Sequence, residues 1–371
     1  MKPAGRIGIR LLALLGLLLT LSGCWDQRPV ETRAAVVALG IDPGRSRSLF
    51  RYTFVFPNVT TTATSLAATP SSQEFFTVTV ESQSLTGALS AAQQRQSRSL
   101  YLGQVRLIAL STRLPVTVWR NTLNSAVQSG RFVLTFWLVG TSHARRLVSL
   151  SPPSEVVPEV AVYRALSCHC QPIRWTQRAW RLWVQSQTPG ITPWVPAVST
   201  EGSRFLLHGL DVIGPTQVES WNRTQTGGWG YLTGRVRNGF LTMHQSGGQS
   251  YTVGQIHGRS ALRIVTQAHG VDVQDSLRYT GVLEGNTVGS GWSGTFEHQA
   301  EMAAAHHILR LAVQAWQKAR ATHTDPFGWH RDWRWQDEAG ALRHPSATGS
   351  WQDWNIRVAV HFRIRNEGVV R

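Results

Sequence analysis

Residues 11–21 form an almost unbroken apolar run, interrupted only by Gly16 and Thr20, and Lys2, Arg6 and Arg10 place positive charge in front of it. Residues rising about 1.5 Å each take such a run across only about half of a ~30 Å hydrocarbon core, which is too short for an ordinary spanning helix. A basic segment followed by a short apolar one is instead the layout of an export signal. This feature divides the chain. Residues 1–23 read as a signal peptide, and everything that folds is expected to fold from Cys24 onward, outside the cytoplasm.

Leu21-Ser22-Gly23-Cys24 sharpens that reading, because it has the pattern of a lipobox. The chemistry needs a branched apolar residue for the peptidase pocket, two small residues, and a thiol that takes a diacylglyceryl group as a thioether. Cleavage between Gly23 and Cys24 leaves Cys24 as a lipid-bearing N-terminus. The alternative is a plain secretory signal with a coincidental cysteine; the fit of all four positions favours the lipobox. Two acyl chains anchor a protein stably where one holds it only marginally. The expected location is therefore the outer face of the cytoplasmic membrane, lipid-anchored through Cys24.

The formal net charge of +16 would ordinarily raise nucleic acid or an anionic membrane as partner. Lys2 and Lys318 are the only lysines, so the excess is almost all arginine, and it is scattered through the chain. Export argues against nucleic acid. Anionic headgroups or an acidic protein are the more economical partners of such a surface.

Hydrophobic periodicity predicts an α/β (α+β), multi-domain protein of mixed sheets flanked by helices. Strands are expected at 33–41, 51–56, 76–80, 105–110 and 132–139, helices at 85–96 and 116–128, and a loop at 60–72. A Pro-rich stretch, 151–200, marks the division between an N-terminal region, 24–199, and a C-terminal region, 200–371. In the latter, short strands are expected at 230–236, 240–244, 251–256, 262–267 and 271–283, then a long helix at 296–320 and a terminal strand at 355–366. Met302, Leu309, Val313 and Trp316, with Ala305 and Ala312, form the apolar stripe of that helix and are expected to be its buried face. In the terminal strand Ile356, Val358, Val360, Phe362 and Ile364 alternate with Arg357, His361, Arg363 and Arg365, which reads as a central strand with one solvated basic face.

Catalytic motifs are not found. No phosphate-cradling G-x-x-x-x-G-K-[ST] loop and no H-E-x-x-H is present. Gly291-Trp292-Ser293-Gly294 lacks one residue of a nucleophile elbow, and the glycines at 228, 230 and 234 read better as strand–turn–strand than as a phosphate loop. Cys168-His169-Cys170 has no second ligand pair; structural cysteines, or a disulfide within the C-x-C, rank above a metal site. Tryptophans at 316, 329, 333, 335, 351 and 354 would suit sugar stacking or simply core and rim packing. The expectation is a protein that is not an enzyme and uses no metal or cofactor.

Several pieces, in order, resemble the Ger(x)C family, the C-subunit lipoproteins of spore germination receptors. They are Cys24-Trp25-Asp26, a strand ending in Gly40-Ile41-Asp42, Leu102-Gly103-Gln104-Val105-Arg106-Leu107-Ile108, and Gly228-Trp229-Gly230-Tyr231-Leu232-Thr233-Gly234. Next come the long helix, Thr324-Asp325-Pro326-Phe327-Gly328, and a terminal strand closed by Glu367-Gly368. The resemblance implies several α/β modules and a lipid-anchored, non-enzymatic subunit of a nutrient-germinant receptor in the inner spore membrane. It would act beside two integral-membrane subunits, of the A and B type. Arg363, Arg365, Trp351 and Trp354 are the candidate partner-contact residues, because Trp and Arg are favoured at interface hot spots. The competing reading is a lipid-anchored solute-binding protein that captures a sugar or peptide through its Trp-rich C-terminal region.

Overall fold

β2 (Ala38–Pro43), β6 (Leu107–Ser111), β7 (Trp137–Thr141) and β8 (Trp194–Glu201) lie side by side and parallel. β6 and β7 are buried along their whole length, as parallel strands covered on both faces must be. Antiparallel wings extend this centre: β3 (Phe50–Pro57) and β4 (Phe75–Ser82) on one side, β9 (Arg204–Ile213) and β10 (Val218–Trp221) on the other. The eight strands run β10-β9-β8-β7-β6-β2-β3-β4. A short parallel pair, β1 (Arg33–Ala35) with β5 (Ser99–Tyr101), stands beside it. The computed structural model describes residues 29–58, 75–151, 155, 157–244, 250–267, 270–286, 294–343 and 351–365. The expected signal peptide, with Gly23, Cys24, the stretch 60–72 and Glu367-Gly368, lies outside them.

Strand alternation assigns neighbouring residues to opposite cores. Leu39, Ile41, Ile108, Leu110 and Leu138 face α1 (Leu85–Gln93), α2 (Val116–Gln128) and α5 (Ala179–Gln187). Ala38, Leu107, Ala109, Trp137 and Val139 face α3 (Ala144–Val148) and α4 (Pro158–Ser167). This second core continues without interruption into the C-terminal sheet. The division expected at 199/200 therefore needs correction: it falls inside β8, and the large sheet runs on through Trp221.

The second large layer is the sheet β11-β12-β13-β14, made of β11 (Gly239–His244), β12 (Ser250–Gln267), β13 (Gly270–Asn286) and β14 (Asn355–Ile364). The expected separate strands at 251–256 and 262–267 are one strand, irregular in register between Gly254 and His257, where Gln255 has φ 51°. β14 pairs parallel with β13 at the sheet edge, so it is not the central strand expected. Its alternation holds, with Phe362 and Ile364 buried and the arginines exposed.

Two helices differ from expectation. Residues 223–232 form α6 (Arg223–Leu232) instead of strand and turn. The Asn222 side chain accepts from Gln225 N–H while the Gln225 side chain accepts from Asn222 N–H, a reciprocal cap that starts a helix despite three glycines. The long helix α7 (Gly294–Ala321) buries Ala300, Ala304, Ile308, Ala312, Ala315 and Ala319, whereas Met302 and Val313 are exposed and Leu309 is half-buried. α7 crosses α6 so closely at Gly228 and Ala315 that only small residues fit there, and its larger side chains do not mark the buried face. The remaining helices are α8 (Trp329–Gln336) and α9 (Glu338–Arg343).

Candidate contact surfaces and the junction

The pieces that carry the family resemblance fold into the fastenings between layers. Gly40 lets β2 approach α3: a Cβ there would lie 2.9 Å from Val148 Cγ2 and 3.0 Å from the Ala144 carbonyl. Two residues on, buried Asp42 accepts from the backbone N–H of Ala144 (2.8 Å) and Arg145 (2.7 Å), holding the start of α3. Arg106 N–H donates to Val37 O, and its guanidinium sits 5.9 Å from the Tyr163 ring centre.

The other two motifs meet each other. Trp229 in α6 donates its indole N–H to Pro326 O at 3.1 Å. Asp325 next to it organises the chain's entry into α8: Oδ1 accepts from Phe327 and Gly328 N–H, and Oδ2 accepts from His330 N–H. Its backbone exchanges two 2.8 Å hydrogen bonds with Thr192, just before β8. Gly328 has φ 81°, a conformation that favours glycine. Burial pushes the Asp325 carboxyl up to about 6 against the opposing pull of these backbone donors. Tyr231, also in the α6 motif, accepts from the Tyr279 hydroxyl of β13 through its carbonyl at 2.7 Å. Large sheet, α6, C-terminal sheet and α8 are thus joined by named hydrogen bonds.

Tryptophans fill the same junction. Trp175, Trp194 and Trp229 pack together, the last pair at 4.5 Å, with Arg235 over both members of that pair. Phe327 stacks on Trp329 at 4.5 Å, and Trp316 contacts both Trp329 and Trp351. Trp354 is 6% exposed and packs on Trp333 and His330. This corrects the assignment of Trp354 to a contact surface: it closes the core. Trp351 is half-buried against Trp316. Of the C-terminal tryptophans, Trp335 is the one that stands clear, at 72% exposed. Trp329, Trp333 and Trp354 are sealed away, so they form no platform for a sugar ring.

Arg363 and Arg365 are exposed, on the face of the C-terminal sheet opposite α7. The structure sets them among cations the sequence reading had missed. Arg259 on β12 pairs with Arg278 on β13, and Arg278 pairs with His361 on β14. Arg263, Gln274 and Arg357 form a second row, and His257, Thr280 and Arg363 a third. The spacing His257, Arg259, Ala261, Arg263 carried the signal, since alternate residues of a strand share a face.

Two recesses open at other places in the fold. A cavity of about 610 Å³ between the large sheet and the C-terminal unit is lined mainly by apolar groups, among them Trp175, Phe205, Leu207 and Tyr231, with His208 and His307. A cleft of about 890 Å³ beside α3 carries Arg51, Arg113, His143, Arg145 and Arg146. Cys168 and Cys170 are joined as a disulfide. Among the described residues no cluster of three or more His, Cys, Asp or Glu is placed to hold a metal, and no helix is long and apolar enough to cross a membrane.

The motifs that carry the resemblance thus serve architecture, and the class they define is a multi-sheet α/β protein. Residues 26–200 match the spore germination protein N-terminal domain. The crystal structure of the GerBC protein shares the fold, with a TM-score of 0.58 and 16% identity, over 88% of this chain and 97% of that one. The N-terminal part of the chain thus carries a spore germination protein domain, and the fold is that of GerBC. No curated protein matches it in sequence.

Proposed function

We propose that this chain is the lipid-anchored, non-enzymatic C subunit of a nutrient-germinant receptor, tethered through Cys24 to the outer face of the inner spore membrane. The observation that carries the reading is the germination-domain match over residues 26–200. The lipobox supports the tether. A folded body fastened by structural motifs supports action by contact, and a tether at the bilayer raises the effective concentration of membrane partners. Those partners are two integral-membrane subunits, of the A and B type, and Arg363 and Arg365 are candidate contact residues toward that membrane complex. The competing solute-capture reading loses support in the Trp-rich region, because Trp329, Trp333 and Trp354 are buried and Trp335 alone there stands exposed.

Deletion of the gene tests the proposal. Germination triggered by the nutrients of its own receptor should be slowed or abolished and restored by the intact gene, while routes that bypass receptors stay unchanged. Deletion spores that respond normally to those nutrients would sink the reading.

A further inference from the structure

We propose that the outer face of the C-terminal sheet docks on the anionic headgroups of the membrane that holds the anchor. This deepens the preceding proposal and rests on its lipid tether. Exposed arginines dominate the face, with the carboxylate of Asp272 at one end, held by the Asn355 amide. Arg259, Arg278 and His361 lie directly across from one another on three adjacent strands, with Arg363 in the next row on one side and, on the other, Arg263 and Arg357 beyond an intervening row of Ala261, Ser276 and Ala359. All of these arginines are exposed, and none takes part in an ion pair among the described residues. Like charges directly opposite across strands work against the sheet. An apposed layer of anions removes that penalty, and arginine's planar fork of donors suits phosphate oxygens.

Two observations favour headgroups over an acidic protein. The residues between the cations are Ala261, Ser276, Ala359 and Thr280, so the array lacks the buried aromatic or aliphatic centre on which protein interfaces concentrate their energy. The cations are also spread over a sheet face, with about 4.8 Å between strands and about 7 Å between alternate residues, instead of lining a groove. Basic side chains near an anionic leaflet each add to the attraction, which salt screens.

The test uses the full lipidated chain carrying Ala359→Cys with a fluorophore at the middle of the face. It is reconstituted into neutral phosphatidylcholine vesicles and into vesicles containing phosphatidylglycerol, both doped with a headgroup quencher. Flotation with neutral vesicles reports the anchor alone; quenching reports the face. Quenching several-fold stronger on anionic vesicles, lost in high salt and in Arg278→Glu with Arg363→Glu, is the expected result. Arg278→Gln, which relieves repulsion, should weaken quenching while melting no lower than the parent, separating charge from folding. Equal quenching on both vesicle types, or none on either while flotation persists, overturns the proposal. So does a label shielded only when the membrane subunits are added, which would assign the face to an acidic protein. A chain that fails to float on neutral vesicles overturns the anchor, and flotation confined to anionic vesicles would then support the face by itself.

Discussion

Gly228 of α6 lies so close to Leu311 of α7 that a Cβ on the glycine would sit 1.9 Å from the Leu311 carbonyl oxygen and 2.9 Å from Ala315 Cβ. Backbone meets backbone at this crossing, and the alanine ladder of α7 is its other half.

Gly228→Ala should therefore force the helices apart and cost about 1–3 kcal/mol, in the range of overpacked cores. Gly227→Ala next to it is the control, since its Cβ would meet only Leu311 Cδ1 at 3.8 Å. That change should be neutral or stabilising by up to ~1 kcal/mol through helix propensity. Thermal denaturation of the two variants distinguishes them; equal losses would mean that the crossing is looser than described.

Ile308 is fully buried, whereas Met302 is 59% exposed on the same helix. Ile308→Ala should cost about 2–5 kcal/mol and Met302→Ala within about 0.5 kcal/mol of nothing. Urea unfolding of both would reveal an inverted helix if the order reversed.

Asp211 and Asp275 each have one oxygen bonded by a serine, Ser220 and Ser260, and the other buried without a partner among the described residues. Burial pushes both carboxyls up to about 6. Between about pH 4 and 6 the folded state keeps protons that the unfolded chain has released, so stability falls as pH rises through that window, and the cost is complete above it. Asp211→Asn keeps the acceptor for Ser220 and carries no charge. It should be more stable than the parent at pH 7, by on the order of 1–3 kcal/mol, and the advantage should shrink toward pH 5. A gain that does not change with pH would refute the assignment.

Cys24→Ala should release the protein from the membrane fraction or leave an unprocessed precursor. Fractionation followed by mass measurement of the N-terminus reads both, and normal processing with tight retention would remove Cys24 as the anchor.

Helix α2, at 116–128, was legible to the residue, because Pro115 precedes it and its apolar positions repeat at helical spacing. The alternation of β14 was equally plain. What escaped was whatever depends on a partner element. The burial of Ala315 follows from Gly228 of α6, distant in sequence. Trp354 looked like a surface residue until α8 was folded against it. The basic face needed the β12–β13–β14 register, which no single strand encodes. The Gly40-Ile41-Asp42 motif was visible, but its meaning came only when Asp42 was found at the start of α3.

The pairing of β13 with β14 places Asp272 opposite Asn355. The strand that finishes the C-terminal sheet thus follows α7, α8 and α9 in the chain and is made after the three strands it completes. Until it arrives, β13 offers an unpaired edge, a template for association with other chains. The order of synthesis sets a quality requirement: a chain broken off before residue 355 keeps its large sheet but carries an open edge, and it is marked for aggregation or proteolysis. Only chains that carry residues 355–364 then close the sheet.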